Sequence, residues 1–163
     1  MYAERAIERD RRTRGRRIVV VDIENINGGT VRSEEAAGAA WRDVAATIGL
    51  AADEQVVVGV GPSSLLAAAA SYPQARFVMG RGLDGADHAL LHVLFDERIA
   101  DRFDEVVIAS GDGIFAEAAA RLASDGAHVT VVARYGHLSN RLRLAAGDVV
   151  LVDEPSPSHG KAA

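Results

Sequence analysis

Short runs dominated by valine, isoleucine and other apolar residues recur at residues 18–21, 56–60, 76–79, 106–109 and 129–132, and they limit the fold more than any other feature of the chain. A strand with one face in water alternates apolar and polar side chains. A run almost without polar members must be buried on both sides, as in a parallel sheet covered on both faces. Between the runs lie segments with helical spacing, at 34–48, 63–71, 87–99 and 115–124, with Gly49 and Gly126 placed as stops. Strand and helix therefore alternate. This predicts right-handed βαβ units and an α/β fold, a three-layer α/β/α sandwich with a mostly parallel sheet, in which ligand sites lie beyond the carboxyl ends of the strands. Residues 149–152 would add a last edge strand.

A chain of 163 residues, 48% hydrophobic and 25% charged, suits one globular domain with a full core. There is no cysteine, so disulfides and thiolate metal sites are excluded and any metal must be held by oxygen or imidazole. No apolar stretch is long enough to span a bilayer, and no apolar signal core follows the arginine-rich start, so a cytoplasmic protein without a membrane partner is expected. The net charge of −5 conceals an asymmetry: Arg5, Arg9, Arg11, Arg12, Arg14, Arg16 and Arg17 precede the first run, against Glu4, Glu8 and Asp10. The chain divides on this reading into a basic extension (1–16), one domain (17–153) and a disordered tail (154–163). The extension either attracts nucleic acid or is a solvated leader, and both readings stay open. The alanine-rich stretches at 36–46 and 67–70 read as helix faces that approach a sheet closely, and Trp41 among them as a core residue.

Carboxylates fall at the ends of these strands. The first run leads into Asp22-Ile23-Glu24-Asn25-Ile26-Asn27, and the fourth into Ser110-Gly111-Asp112-Gly113, where glycines permit close backbone approach. If the first and fourth strands are neighbours, Asp22 and Asp112 face one crevice. A third group lies in the turn Gly82-Leu83-Asp84-Gly85-Ala86-Asp87. Each acid alone has an ordinary explanation: Asp87 can cap its helix, and Asp84 suits a glycine-flanked turn. Three strand ends delivering acids to one side is less ordinary. An all-oxygen cluster suits Mg2+ or Mn2+, with phosphate oxygens of a substrate completing the shell.

Other features are weaker. His88 and His92 stand four apart on a predicted helix but lack the glutamate arrangement of a zinc motif. Ser63 and Ser64 can cap a helix or touch a phosphate, and Arg81 can grip a phosphate or pair with Asp84. Arg134, Arg141 and Arg143 flank a loop near the end of the chain.

Three stretches carry a resemblance: Val-Val-Val-Asp-Ile-Glu-Asn-Ile-Asn at 19–27, Gly-Leu-Asp-Gly-Ala-Asp-His-Ala-Leu-Leu at 82–91, and Val-Val-Ile-Ala-Ser-Gly-Asp-Gly-Ile-Phe at 106–115. Together, in this order and spacing, they resemble the NYN domains, a branch of the PIN-like ribonucleases, over most of residues 18–152. The resemblance implies a parallel sheet of about five or six strands and a Mg2+- or Mn2+-dependent endoribonuclease acting on RNA. It places Asp22, Asp87 and Asp112 at the family's acidic, metal-holding positions, with Glu24 and Asp84 as further candidates. Asn25 matches the family's asparagine after the first strand. Asn25, Arg81 and Ser110 are the candidates for contacting substrate. Many relatives carry a second acid two positions after the third aspartate; here that position is Ile114, which weakens a two-metal reading. The expected function is RNA phosphodiester hydrolysis, and the alternative is an NYN domain acting as an RNA-binding or scaffold module. Whether the chain forms a homodimer stays open.

Overall fold

The computed structural model describes residues 15–152, so residues 1–14 of the proposed extension, residue 153 of the proposed domain and the proposed tail (154–163) lie outside the described residues. Six strands form one parallel sheet: β1 (Arg17–Asp22), β2 (Gln55–Val60), β3 (Arg76–Met79), β4 (Glu105–Ala109), β5 (His128–Arg134) and β6 (Asp148–Val152). Their order is β3-β2-β1-β4-β5-β6. The chain thus starts in the middle of the sheet, winds outward to β3, crosses back beside β1, and winds outward the other way. The β1/β4 junction is the point where the winding reverses.

Alternate residues of each strand feed two separate cores. Ile18 and Val20 of β1, with Val106 and Ile108 of β4, pack on one face beneath α4 (Gly85–Asp96), α5 (Ile99–Arg102), α6 (Ala116–Ser124) and α7 (Asn140–Ala145). Val19 and Val21, with Val107 and Ala109, pack on the other face beneath α1 (Ile23–Asn27), α2 (Glu34–Ile48) and α3 (Leu65–Ser71). Every residue of β1 is buried. At roughly 1.5–3 kcal/mol for each fully buried valine or isoleucine, this central strand alone anchors the three layers. Trp41 is half-buried and lies on Tyr72, with ring centroids 4.4 Å apart.

The structure departs from the sequence expectation in four places. Residues 23–27 form a helical turn, α1, because Asp22 caps it and Ile23 and Ile26, three apart, are both buried. The helix expected over 87–99 starts at Gly85 and ends at Asp96; Arg98 adopts a left-handed conformation (φ 52°) and separates it from α5. The helix expected from Phe115 begins after a 3-10 turn, Gly113–Phe115, and fully buried Phe115 leads into α6. Finally, α7 forms where the sequence predicts no element; its six residues are too few to display a period. No helix among the described residues is long and apolar enough to cross a membrane.

Candidate carboxylate site at the carboxyl edge

The register that pairs Val21 with Ala109 brings the next residues, Asp22 and Ser110, side by side at the carboxyl end of the sheet. Asp22 is 5% exposed. Its Oδ2 accepts a hydrogen bond from Ser110 Oγ (3.0 Å), and its Oδ1 accepts one from the Asn25 backbone N–H (3.3 Å). Ser110 Oγ in turn accepts from the Asp112 N–H (3.2 Å). Asn25 ties the two strand ends together, since its Oδ1 accepts the Gly111 N–H at 2.9 Å. Asp112 is exposed and caps the 3-10 turn, accepting the Ile114 N–H at 2.9 Å. Gly111 cannot be replaced cheaply, because a Cβ there would fall 2.1 Å from the His137 carbonyl oxygen in the loop after β5.

The turn between β3 and α4 brings the third acid. Gly80 and Gly85 close it backbone to backbone, with a Cβ on Gly80 only 1.7 Å from the Gly85 carbonyl oxygen. Asp84 occupies the N-cap position in a left-handed conformation (φ 53°), and its side chain caps nothing. Asp87 lies in the first turn of α4, but its carboxyl is hydrogen-bonded to that of Asp22. The capping explanation of Asp87 is thereby corrected.

Two carboxyls share a hydrogen bond only if one carries a proton. Burial raises Asp22 above the ordinary carboxylate value, with neighbouring Asp112 adding to the rise, while Ser110, Asn25 and Asp87 hydrogen bonds oppose it. Asp87 is pushed up to about 7, first by burial and then by the charge of Asp22 and its hydrogen bond, with Asp112 and Asp84 contributing. Both carboxyls are thus pushed toward the protonated form, Asp87 to about 7.

A fourth carboxylate is fixed from α1. Glu24 Oε1 accepts the hydroxyl of Ser64 at 2.5 Å, and Ser64 Oγ accepts the buried Val31 N–H at 3.0 Å. Ser64 is fully buried and makes no cap bond to α3, so both the capping and the phosphate readings of this serine give way to a support for Glu24. Asp22, Glu24, Asp84, Asp87 and Asp112 together line a cleft of about 330 Å³, with Asn25 and the backbone of the 80–86 turn. Among the described residues, no lysine, arginine or histidine lines it, and no three His, Cys, Asp or Glu side chains are arranged so that they could hold a metal ion as they stand.

The NYN domain family profile matches residues 61–153, more than half of the chain. The chain belongs to the NYN domain family. The fold of this NYN domain is also that of a crystal structure of a protein of unknown function from Vibrio parahaemolyticus: TM-score 0.61, 16% identity, covering 86% of this chain and 94% of that one. Among curated proteins nothing matches significantly.

Within the NYN domain the sequence-derived candidates separate into groups. Asp22, Asp87 and Asp112 come together at one cleft, and Glu24, Asp84 and Asn25 join them there. Ser110 does not face the cleft; it is fully buried, with its hydroxyl committed to Asp22 and to the Asp112 N–H, and stands behind the carboxylates. Arg81 is exposed and outside the lining, although Gly80 and Gly82 on either side of it belong to the lining. Ile114 packs against the core under α6 and is absent from the cleft wall. His88 is exposed, and His92 pairs with Asp96 at 2.7 Å on the surface. Ser64 is the supporting residue that sequence reasoning missed, since its partner Glu24 is 40 positions away and no local pattern joins them.

Proposed function

We propose that this NYN domain is a Mg2+- or Mn2+-dependent endoribonuclease whose reaction takes place in the carboxylate cleft. The observation that carries the reading is the convergence of Asp22, Asp87 and Asp112 from three strand ends on one cleft, where burial and their mutual charge raise Asp22 and Asp87 above the ordinary carboxylate value. Membership of the NYN family, whose members are generally ribonucleases, supports the same reading.

The donor set fits a hard divalent cation. Among the described residues, all five charged groups lining the cleft are carboxylates, and mutually repelling carboxylates, of which Asp22 is buried, are stabilised by a cation more than by any neutral ligand. Asp22, Asp87 and Asp112 would hold it, with Glu24 and Asp84 at the margin. When bound, such an ion supplies charge against the phosphoryl oxygens and lowers the pKa of a water. The chain's own residues do the rest. Ser110 and the Asn25 N–H fix both oxygens of Asp22, which keeps that carboxylate in one rotamer. Loss of the Asp87 proton converts the shared pair into two anionic oxygen donors. Because the Asn25 carbonyl oxygen is taken by the Gly111 N–H, the end of that amide left for the cleft is its NH2, a donor suited to a phosphate oxygen. Asn25 thus both joins the strand ends and orients the scissile phosphate.

The test is incubation of purified protein with 5′-labelled single-stranded and structured RNA across a Mg2+ and Mn2+ titration, with a chelated control. Metal-dependent internal cleavage is the expected result. Tight RNA binding at saturating metal without turnover would favour the binding or scaffold module instead.

A further inference from the structure

Five carboxylates line the cleft, so a polyanion that reaches it needs attraction from a neighbouring surface. Residues 126–147 contain three arginines and two histidines and no acid, in a chain of net charge −5. The fold seats part of this stretch against the turn that carries Asp112: the Ser139 N–H donates to the Gly111 carbonyl at 2.9 Å, and the Ser139 hydroxyl lies beside Gly113. The chain then turns directly into α7, which fully buried Leu142 anchors to the core while Arg141 and Arg143 on either side of it are exposed. Arg17, Arg76, Arg98 and Arg102 each pair with an acid. Among the described residues Arg141 and Arg143 make no such pair.

We propose that α7 is the surface over which single-stranded RNA runs as it leaves the carboxylate cleft, with Arg141 and Arg143 contacting its phosphates. This rests on the reading of the cleft as a ribonuclease site. It assigns to the strand a direction, past Asp112 and the 135–139 loop, at the carboxyl ends of β4 and β5. Buried Leu142 fixes the backbone from which the two arginines project, and a planar guanidinium fork matches phosphate oxygens bidentately.

The experiment measures binding of a fluorescein-labelled single-stranded RNA by anisotropy across a KCl series, using full-length Asp112→Asn protein in Mg2+ so that the RNA stays intact. Adding Arg141→Ala and Arg143→Ala should weaken binding and make the log–log salt dependence shallower by about 1.4, roughly 0.7 per phosphate contact on a single strand. Arg141→Lys with Arg143→Lys should restore most of the slope. Calorimetric Mn2+ affinity of Arg141→Ala with Arg143→Ala, measured with Asp112 intact, should match wild type, since neither arginine lines the cleft. Unchanged slope and affinity in the alanine variant would overturn the α7 surface while leaving the ribonuclease reading intact. Loss of Mn2+ affinity would overturn it too, by making the arginines supports of the cleft. Failure of the parent to bind RNA at all would remove the ribonuclease reading and the surface together.

Discussion

The carboxyl of Asp87, in the first turn of α4, is hydrogen-bonded to that of Asp22, at the end of β1, 65 positions earlier in the chain. The two meet because β1 lies in the middle of the sheet and α4 crosses back over it from β3. Their meeting concentrates charge that only a proton or a cation relieves, and most of the expectations below follow from it.

Asp87 is raised from 3.8 to about 7, so the native protein binds this proton more tightly than the unfolded chain does. The resulting stability is fully present below the ordinary carboxylate value and is lost as pH rises through about 7. In chelator, the thermal midpoint of wild type relative to Asp87→Asn should therefore fall between acid pH and pH 8. Divalent metal affinity should rise over the same window as the proton is released. Parallel midpoint curves for the two proteins would show that Asp87 does not hold the proton.

Asp112→Asn should abolish metal-dependent cleavage without lowering the melting temperature. Asparagine keeps the oxygen that accepts the Ile114 N–H, and the substitution removes a charge that raises both Asp22 and Asp87. Circular dichroism melts beside a cleavage assay check both halves. Undiminished cleavage at saturating Mg2+ would exclude Asp112 from the site.

The legible part of this molecule was what the solvent dictates locally. Strands buried on both faces appear in the sequence as apolar runs, and the helix Glu34–Ile48 as a capped amphipathic segment, so the α/β sandwich and the positions of Asp22 and Asp112 at strand ends could be read directly. What could not be read depends on contacts between distant residues. The fate of Asp87 turned on which carboxyl it would meet, and a cap was the local alternative. Ser110 looked available to a substrate until the register of β1 and β4 placed its hydroxyl on Asp22. Ser64 gave no signal because its bond to Glu24 exists only once α1 packs beside α3. The six residues of α7 are similarly set by Leu142 entering the core.

Ser110→Ala should reduce metal affinity or cleavage by about 10–100-fold, the usual effect of removing a partner that orients a ligand. Because Ser110 stands behind Asp22 and off the cleft wall, KM for RNA should stay near wild type while kcat falls. A raised KM with unchanged kcat would return Ser110 to a substrate-contacting role.

At the opposite end of the sheet, Arg17 is 7% exposed, and its guanidinium reaches Glu54 at 2.6 Å and the Ile48 carbonyl at the end of α2 at 3.1 Å. Arg17→Met removes one partner of a largely buried ion pair and should destabilise the domain by about 3 kcal/mol. Cleavage per folded molecule should not change, since the site is a full strand length away. Chemical denaturation measures the first effect; a loss below about 1 kcal/mol would mean that Glu54 is adequately solvated without its arginine.

Anomalous diffraction from crystals soaked in Mn2+ would locate the metal and its ligands together. The expected result is a manganese peak in the cleft, coordinated by carboxylate oxygens of Asp22, Asp87 and Asp112, with the Asp22–Asp87 hydrogen bond gone. A peak held elsewhere, or a cleft in which Asp22 and Asp87 remain bonded to each other at saturating Mn2+, would contradict the account.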